Sequence, residues 1–127
     1  MQTVDTLWPY ARKLVYADNG ASLEAIHTIM VAQDVSHVPL LEHNRHKNVG
    51  LVRRKVIWKK MMANGGVPPT IDEVREKPLL EVDRSESLAE VLEMLDSRSA
   101  LIIRGDDHRC ERFLSPRVVA KAMQGYA

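Results

Sequence analysis

The sequence has one cysteine, few aromatic residues and no excess of charge of one sign. Its single cysteine, Cys110, excludes an intramolecular disulfide framework and a cysteine-only zinc site, and it fits a reducing compartment. No apolar run approaches the roughly 18 residues of a spanning helix, and no charged segment followed by an apolar one opens the chain. We therefore expect a cytoplasmic protein with no membrane association.

The 18 Lys and Arg residues and 17 Asp and Glu residues leave a net charge of +1. This balance argues against broad electrostatic binding of nucleic acid, although five of the eight residues in Arg53–Lys60 are basic. Apolar residues make up 45% of the 127-residue chain and charged residues 28%, which is typical of soluble globular domains. The chain is long enough for one compact body with a real core.

The two halves of the chain repeat one order of predicted elements. In the first half, the pattern predicts strands at Leu14–Tyr16, His37–Leu41 and Val49–Val52, and helices at Ser22–Met30 and Val56–Met62. In the second half, it predicts strands at Leu79–Val82, Ala100–Ile103 and Arg112–Leu114, and helices at Ser87–Leu95 and Pro116–Met123. Ser22 and Ser87 are 65 residues apart, whereas Pro39 and Leu101, Gly50 and Arg112, and Met61 and Met123 are 62 apart. The sequence thus predicts an α/β fold of two β-α-β-β-α repeats.

Residue types at the predicted helix starts support this division. Ser87 and Glu90 have the spacing of a capping box, as do Thr70 and Glu73, which predict a single helical turn. Ser115 before Pro116 is a typical N-cap. A short helix is also predicted at Asp5–Lys13.

The predicted organisation has three parts. An N-terminal segment with the first repeat covers residues 1–63, a linker rich in glycine and proline covers 64–76, and the second repeat covers 77–127. Because neither half can bury its sheet face alone, we expect the repeats to pack as one body.

The repeated segments carry a resemblance to a known family. They are Ser22-Leu23-Glu24-Ala25, His37-Val38-Pro39-Leu40-Leu41-Glu42 and Val49-Gly50-Leu51-Val52, recurring as Ser87-Leu88-Ala89-Glu90, Ala100-Leu101-Ile102-Ile103 and Arg112-Phe113-Leu114-Ser115. In this order, the sequence resembles the cystathionine β-synthase (CBS) domain family in its tandem-pair form over about residues 11–125. The resemblance implies a pseudo-twofold CBS-pair module that is regulatory, dimerises and binds adenosyl ligands in the cleft between its repeats.

The family's nucleotide motif is Gly, two apolar residues, Thr or Ser, two variable residues and Asp. The hydroxyl contacts phosphate and the Asp accepts hydrogen bonds from ribose. The corresponding residues are Gly50, Arg53 and Val56 in the first repeat and Arg112, Ser115 and Val118 in the second. Valine therefore replaces both ribose-binding carboxylates.

The resemblance also implies where a ligand binds. The candidate ligand-binding residues are Tyr16, Ala17, Pro39, Leu40, Arg53, Arg54, Val82, Leu101, Ser115 and Arg117. Guanidinium groups bind phosphate bidentately, whereas ribose recognition without a carboxylate is weak. We expect AMP, ATP or a related adenosyl ligand to be preferred over uncharged adenosine, with Arg53 and Arg54 on the phosphates and no cofactor required.

Several of these residues have simpler interpretations. Arg53, Arg54 and Lys55 oppose the dipole at a predicted helix start, which favours a bound anion, but nearby acidic residues or solvent would also neutralise them. Ser115 is explained equally by helix capping. His43 and His46 in a predicted turn form at most an incomplete metal site, and a solvated loop explains them as well.

Two main functional hypotheses follow, and a third, nucleic-acid binding through Arg53–Lys60, is disfavoured by the near-neutral charge of the chain. The first is a regulatory module that senses an adenine nucleotide or another anionic small molecule and acts in trans on an enzyme or transporter. The alternative is a ligand-free dimerisation or protein-interaction module with degenerate nucleotide sites. In both, we expect a homodimer in which helices near Trp58–Met62 and Val118–Met123 meet their mates, although internal packing also explains Trp58, Met61 and Met62. We find no arrangement of nucleophile, base and orienting residue, so we expect no enzyme activity.

Overall fold

The computed structural model describes residues 2–125, which form two compact units. The continuous unit is Val15–Pro78, and the discontinuous unit joins residues 2–14 to residues 79–125. The N-terminal residues therefore fold with the second half of the chain. The predicted α/β architecture of two repeats is confirmed, while the division of the sequence at residues 63 and 77 stays a prediction.

Helices and strands follow the predicted order along the chain. After a 3₁₀ helix at Val4–Tyr10 come β1 (Arg12–Lys13), β2 (Ala17–Asp18), α1 (Leu23–Gln33), β3 (His37–Glu42), β4 (Lys47–Arg53), α2 (Arg54–Ala63), α3 (Ile71–Val74), β5 (Glu81–Asp83), α4 (Leu88–Asp96), β6 (Leu101–Arg104), β7 (Cys110–Leu114) and α5 (Pro116–Gly125). None of the helices within residues 2–125 is long and apolar enough to cross a membrane.

Each unit contains one sheet with the same local plan. In the continuous unit the order is β2-β3-β4, with β2 parallel and β4 antiparallel to β3. In the discontinuous unit it is β1-β7-β6-β5, with β5 parallel to β6, β7 antiparallel to β6, and β1 added on the outer edge of β7. The N-terminal strand β1 is thus the extra edge strand of the second repeat's sheet.

The strand registers define which residues are structurally equivalent. Ala17, Leu40 and Gly50 form one row across the continuous unit's sheet. Val82, Ile103 and Arg112 form the matching row in the other unit, and the register shifts directly after Leu40 and after Ile103. Leu40 therefore corresponds to Ile103, a spacing of 63, so the predicted spacing of 62 was wrong for this strand and right for Gly50 and Arg112. The β6–β7 hairpin is therefore one residue shorter than the β3–β4 hairpin, and the sequence comparison did not locate this difference.

The predicted strand at Leu14–Tyr16 was wrong, because the chain passes from one unit to the other there. Leu14 N–H donates to the carbonyl oxygen of Glu111 at 2.9 Å within the discontinuous unit. Ala17 instead pairs with Leu40 in the continuous unit. Two short strands, β1 and β2, therefore flank the predicted one.

The helix starts differ between the repeats. Ser22 Oγ accepts from the Ala25 N–H at 3.1 Å, whereas the side chain of Ser87 makes no capping hydrogen bond, so the capping box predicted for Ser87 was wrong. At this helix start the Leu88 N–H donates to the carbonyl oxygen of Gln2 at 3.1 Å, so backbone from the N-terminal segment satisfies one of the donors of α4.

The single helical turn predicted from Thr70 and Glu73 is confirmed as α3. The Glu73 carboxylate accepts from the N–H and the hydroxyl of Thr70, at 3.2 and 3.1 Å. These hydrogen bonds lower the pKa of Glu73.

Each unit has its own apolar core. The core of the continuous unit is built from Ala17, Ile26, Met30, Val38, Leu40, Val52, Ile57 and Val74. The core of the discontinuous unit is built from Val4, Leu7, Ala11, Val82, Val91, Leu95, Leu101, Ile103, Leu114, Val118 and Ala122. Residues of the 3₁₀ helix contribute to the second core, which explains why the N-terminal segment is ordered.

Candidate functional site

The candidate site of the continuous unit lies where β4 ends and α2 begins. Gly50 is buried, and a Cβ atom at this position would lie 3.3 Å from both Arg75 Cγ and Leu40 Cδ1. Such a distance is tight for two carbon atoms, so an alanine would require its neighbours to move. Gly50 therefore gives room to the side chain of Arg75.

Arg75 is held there by the segment that follows α3. Glu76 N–H donates to the carbonyl oxygen of Leu51 at 2.8 Å, and Leu51 N–H donates to that of Glu76 at 3.2 Å. This two-bond antiparallel bridge adds the segment to the edge of β4.

Glu76 also forms an ion pair with the arginine at the motif's hydroxyl position. Arg53 Nε and Nη2 donate to Oε2 and Oε1 of Glu76, both at 2.6 Å. The two side chains are 35% and 31% exposed, so water screens the pair in part. The carboxylate raises the pKa of Arg53, and an acidic neighbour thus neutralises the charge that the sequence placed at this helix start.

His37 lies beside this ion pair, because its backbone pairs with that of Arg53 across β3 and β4. Its Nδ1 is 2.9 Å from Ser36 Oγ. Burial is the main cause that lowers the pKa of His37, and the charge of Arg53 lowers it further, while Glu76 acts in the opposite direction.

Two other arginines add to the positive charge near Arg53. Arg54 is half-buried with its guanidinium carbon 5.2 Å from the centre of the Trp58 ring, a cation–π contact within the first turns of α2. No acidic residue lies in the first turn of α2. Arg75 Nε is buried and has no hydrogen-bond partner among residues 2–125. The site is therefore rich in guanidinium groups, of which Arg53 has a carboxylate partner.

The equivalent junction of the discontinuous unit lies between β7 and α5. Arg112 stands at the motif's glycine position, donates from Nη1 to the carbonyl oxygen of Ala11 at 3.2 Å, and lies 4.9 Å from the centre of the Trp8 ring. Ser115 is half-buried, and its carbonyl oxygen accepts from the N–H of Val118 at 3.0 Å. Arg117, in the first turn of α5, is exposed.

At the two junctions, the small and the large residue occupy opposite members of an equivalent pair of positions. Leu51 pairs with Glu76 as Phe113 pairs with Arg12, so Arg75 corresponds to Ala11 and Gly50 to Arg112. In one unit the strand supplies glycine and the incoming segment supplies arginine, and in the other the strand supplies arginine and the segment alanine. An arginine of the chain therefore lies against the motif's glycine in the continuous unit and replaces that glycine in the other.

Six of the ten candidate residues belong to the continuous unit and four to the other. Of the first set, Ala17, Pro39 and Leu40 are buried, Arg53 and Arg54 are half-buried, and Tyr16 is 40% exposed. Of the second set, Val82 and Leu101 are buried, Ser115 is half-buried and Arg117 is exposed. The buried apolar residues belong to the two cores or to the sheet, so the polar candidates carry any ligand chemistry.

His43 and His46 lie in the turn between β3 and β4, as predicted. His43 and His46 are exposed, and the turn has positive φ angles at His43, Asn44 and Arg45. Within residues 2–125, no group of three or more histidine, cysteine or carboxylate side chains could hold a metal ion.

Arg75 and Glu76 are the residues of this site that the sequence analysis missed. They fall at the end of a segment interpreted as a linker. This segment is equivalent to Arg12–Lys13, the edge strand of the other sheet, and a repeat between the two segments would have identified it. Neither segment has the alternating apolar pattern of a strand, so the sequence did not show this repeat.

Comparison with solved structures identifies the fold, whereas comparison with protein families and curated sequences does not. No model of a known protein family matches the sequence, and no curated protein matches it. Solved structures do match over nearly the whole chain, and they include a CBS domain-containing protein and a CBS domain pair. The chain has the fold of a CBS domain pair, as the resemblance implied.

Three of these structures illustrate the likeness. The CBS domain pair of protein MJ0100, in complex with 5′-methylthioadenosine and S-adenosyl-L-methionine, has a TM-score of 0.75 at 17% identity, covering 100% of this chain and 99% of that one. CBSX2 in complex with AMP has a TM-score of 0.74 at 15% identity, covering 99% and 98%. The CBS domain of the bacterial CNNM/CorC family Mg²⁺ transporter has a TM-score of 0.72 at 16% identity, covering 98% and 76%.

Proposed function

We propose that the chain is a regulatory CBS-pair module that binds an adenine nucleotide or another anionic small molecule and passes the signal to a partner protein. The observation that carries this proposal is its likeness over nearly the full chain to pairs solved with AMP and with S-adenosyl-L-methionine. The likeness to a domain of a Mg²⁺ transporter supports a regulated enzyme or transporter as the partner. The proposal includes no catalytic activity.

The ligand in this proposal is strongly charged. Both ribose-binding carboxylates of the motif are replaced by Val56 and Val118, so little recognition of ribose remains. The β4–α2 junction of the continuous unit instead offers Arg53 and Arg54, and Arg75, which lies against Gly50, has an Nε with no hydrogen-bond partner among residues 2–125. Guanidinium groups recognise phosphate oxygens well, and we therefore assign the phosphates to Arg53 and Arg54.

A thermal-shift screen tests this function. AMP, ATP, S-adenosylmethionine, NAD and cyclic dinucleotides are each added to the protein, with adenosine as the uncharged comparison. A ligand that binds the native state raises the unfolding midpoint by mass action, so we expect a rise with ATP and a smaller one with adenosine. The absence of a shift with every compound would contradict the proposal.

A ligand-free interaction module is the second candidate. The observation that favours it is that Arg75 lies against the glycine of one motif and Arg112 replaces the glycine of the other. Retention of a partner in the absence of any nucleotide effect on midpoint or affinity would favour this candidate over the first.

In either case we propose a homodimer located in the cytoplasm. Trp58, Met62 and Met123 are large apolar residues that are 52%, 82% and 69% exposed. They lie on α2 and α5, the helices predicted to meet their mates. Cys110 is the single cysteine of the sequence and is buried, which suits a reducing compartment.

A further inference from the structure

Two consecutive side chains occupy the two places that an anionic ligand would use at the β4–α2 junction. The stem of Arg75 crosses Gly50, where Cγ would be 3.3 Å from a Cβ atom, and so covers the backbone that glycine leaves accessible. The carboxylate of Glu76 takes the Nε and Nη2 donors of Arg53. These donors form the fork that a phosphate group would bind in the same bidentate geometry.

The contacts that attach this segment to β4 follow the buried Val74 and lie at a partly exposed edge. Two backbone hydrogen bonds between Leu51 and Glu76 hold it to β4. The ion pair is about one-third exposed on both sides, so solvent screens it. Arg75 Nε is buried with no hydrogen-bond partner among the described residues, so the attached state leaves one donor unsatisfied.

We infer that Arg75–Glu76 is an internal competitor, in which the Glu76 carboxylate occupies Arg53 until a phosphate-bearing ligand displaces it. Displacement also withdraws the stem of Arg75 from Gly50 and releases the edge of β4 at Leu51. Ligand binding is thereby coupled to the segment that connects α3 to β5. This inference rests on the proposed function, because it assigns Arg53 to the ligand's phosphates.

The test compares wild type with Glu76→Gln, which removes the negative charge and nearly keeps the shape. Asp72→Asn is the matched control, because it removes one exposed negative charge from α3, four residues earlier in the chain. ATP and inorganic pyrophosphate are titrated into each protein by calorimetry, and thermal unfolding verifies that each variant is folded. We expect Glu76→Gln to bind both probes at least about fivefold more tightly than wild type, and Asp72→Asn to change affinity less than twofold. Adding Arg53→Ala to Glu76→Gln should remove the gain.

A second measurement follows the attachment directly. In wild type, saturating ATP should increase hydrogen exchange of the Leu51 and Glu76 amides, whereas the β3–β4 amides of Val38 and Val52 stay protected.

The outcomes separate two failures. Equal ATP affinity in wild type and Glu76→Gln, or an equal gain in Asp72→Asn, would overturn the inference and leave the proposed function standing. If neither probe binds wild type or Glu76→Gln, the proposed phosphate site and the inference both fail.

Discussion

At the scale of single residues, position 50 favours glycine because the side chain of Arg75 packs against it. We expect Gly50→Ala to destabilise the fold by about 1 kcal/mol, since crowding costs roughly 1–3 kcal/mol and reduced backbone freedom in the unfolded chain returns part of it. Arg75→Ala should relieve part of this cost, because it removes the Cγ atom 3.3 Å from the added Cβ, while Leu40 Cδ1 remains at the same distance. Urea unfolding of both single variants and the double variant measures the coupling.

Gly20→Ala is the control for this cycle. A Cβ atom at Gly20 would meet only Asp18 Oδ2, at an ordinary 3.4 Å. If Gly50→Ala and Arg75→Ala have strictly additive effects, Arg75 is not what requires glycine at this position.

His37 should make stability depend on pH. Its pKa is lowered from the ordinary 6.5 mainly by burial, so the unfolded chain binds the proton more readily than the folded one. This contribution is fully present above pH 6.5 and is lost as the pH falls from there through the folded pKa. Urea unfolding between about pH 7.5 and 5 should show the decline, which His37→Gln should reduce.

The exposed His46 offers a comparison, because His46→Gln should leave the decline intact. The lowered pKa of Glu73 belongs to a separate window, because that carboxylate loses its contribution only as the pH falls below 4.5. Stability that rises between pH 6.5 and 5 would contradict the role of His37.

Single residues also show where sequence reasoning stopped. The motif identified Gly50 and Arg53 as special positions, since glycine in a strand and a cation at a helix start both require an explanation. It could not identify Arg75 and Glu76 as their partners, because that pairing depends on how a segment more than 20 residues away returns to the edge of β4.

At the scale of elements, the two equivalent helix starts give a matched pair of variants. Ser22 Oγ caps α1 through the Ala25 N–H, whereas Ser87 makes no side-chain cap on α4. We expect Ser22→Ala to lower the free energy of unfolding by about 1 kcal/mol and Ser87→Ala to lower it by clearly less. The midpoint of urea unfolding, at unchanged slope, measures both, and equal losses would argue against this difference between the repeats.

Element identity was largely predictable, and element ends were not. Apolar periodicity located β3, β4, β6, β7 and four helices, because half-buried strands and amphipathic helices impose their spacing on the sequence. The strand at Leu14–Tyr16 was misplaced because tertiary pairing decides which residues form strands here. Leu14 bonds to Glu111 and Ala17 pairs with Leu40, and a local sequence pattern does not contain these contacts.

At the scale of the whole molecule, repetition made the fold predictable. Two copies of one element order are a global signal, and they sufficed for a fold that solved CBS pairs share at 15–17% identity. The association of residues 2–14 with the second half was not predictable in this way. It depends on Val4, Leu7 and Ala11 entering a core otherwise built from the second half, and these residues are too few to show a period.

Assembly is the remaining property of the whole molecule, and α2 provides its test. Trp58 and Met62 are one helical turn apart, so they share a face, and both are largely exposed within the chain. Burying that face against a second copy removes apolar surface from water, and a stable interface needs about 800 Å² from each partner. We expect wild type to sediment as a dimer at high micromolar concentration and Trp58→Glu/Met62→Glu to sediment as a monomer, because the introduced carboxylates would have to be desolvated.

Val31→Glu is the control, since Val31 is 63% exposed on α1, outside the predicted contact helices, and should leave the dimer intact. A monomeric wild type would refute the dimer, and a dimer that survives both glutamates would show that α2 lies outside its interface.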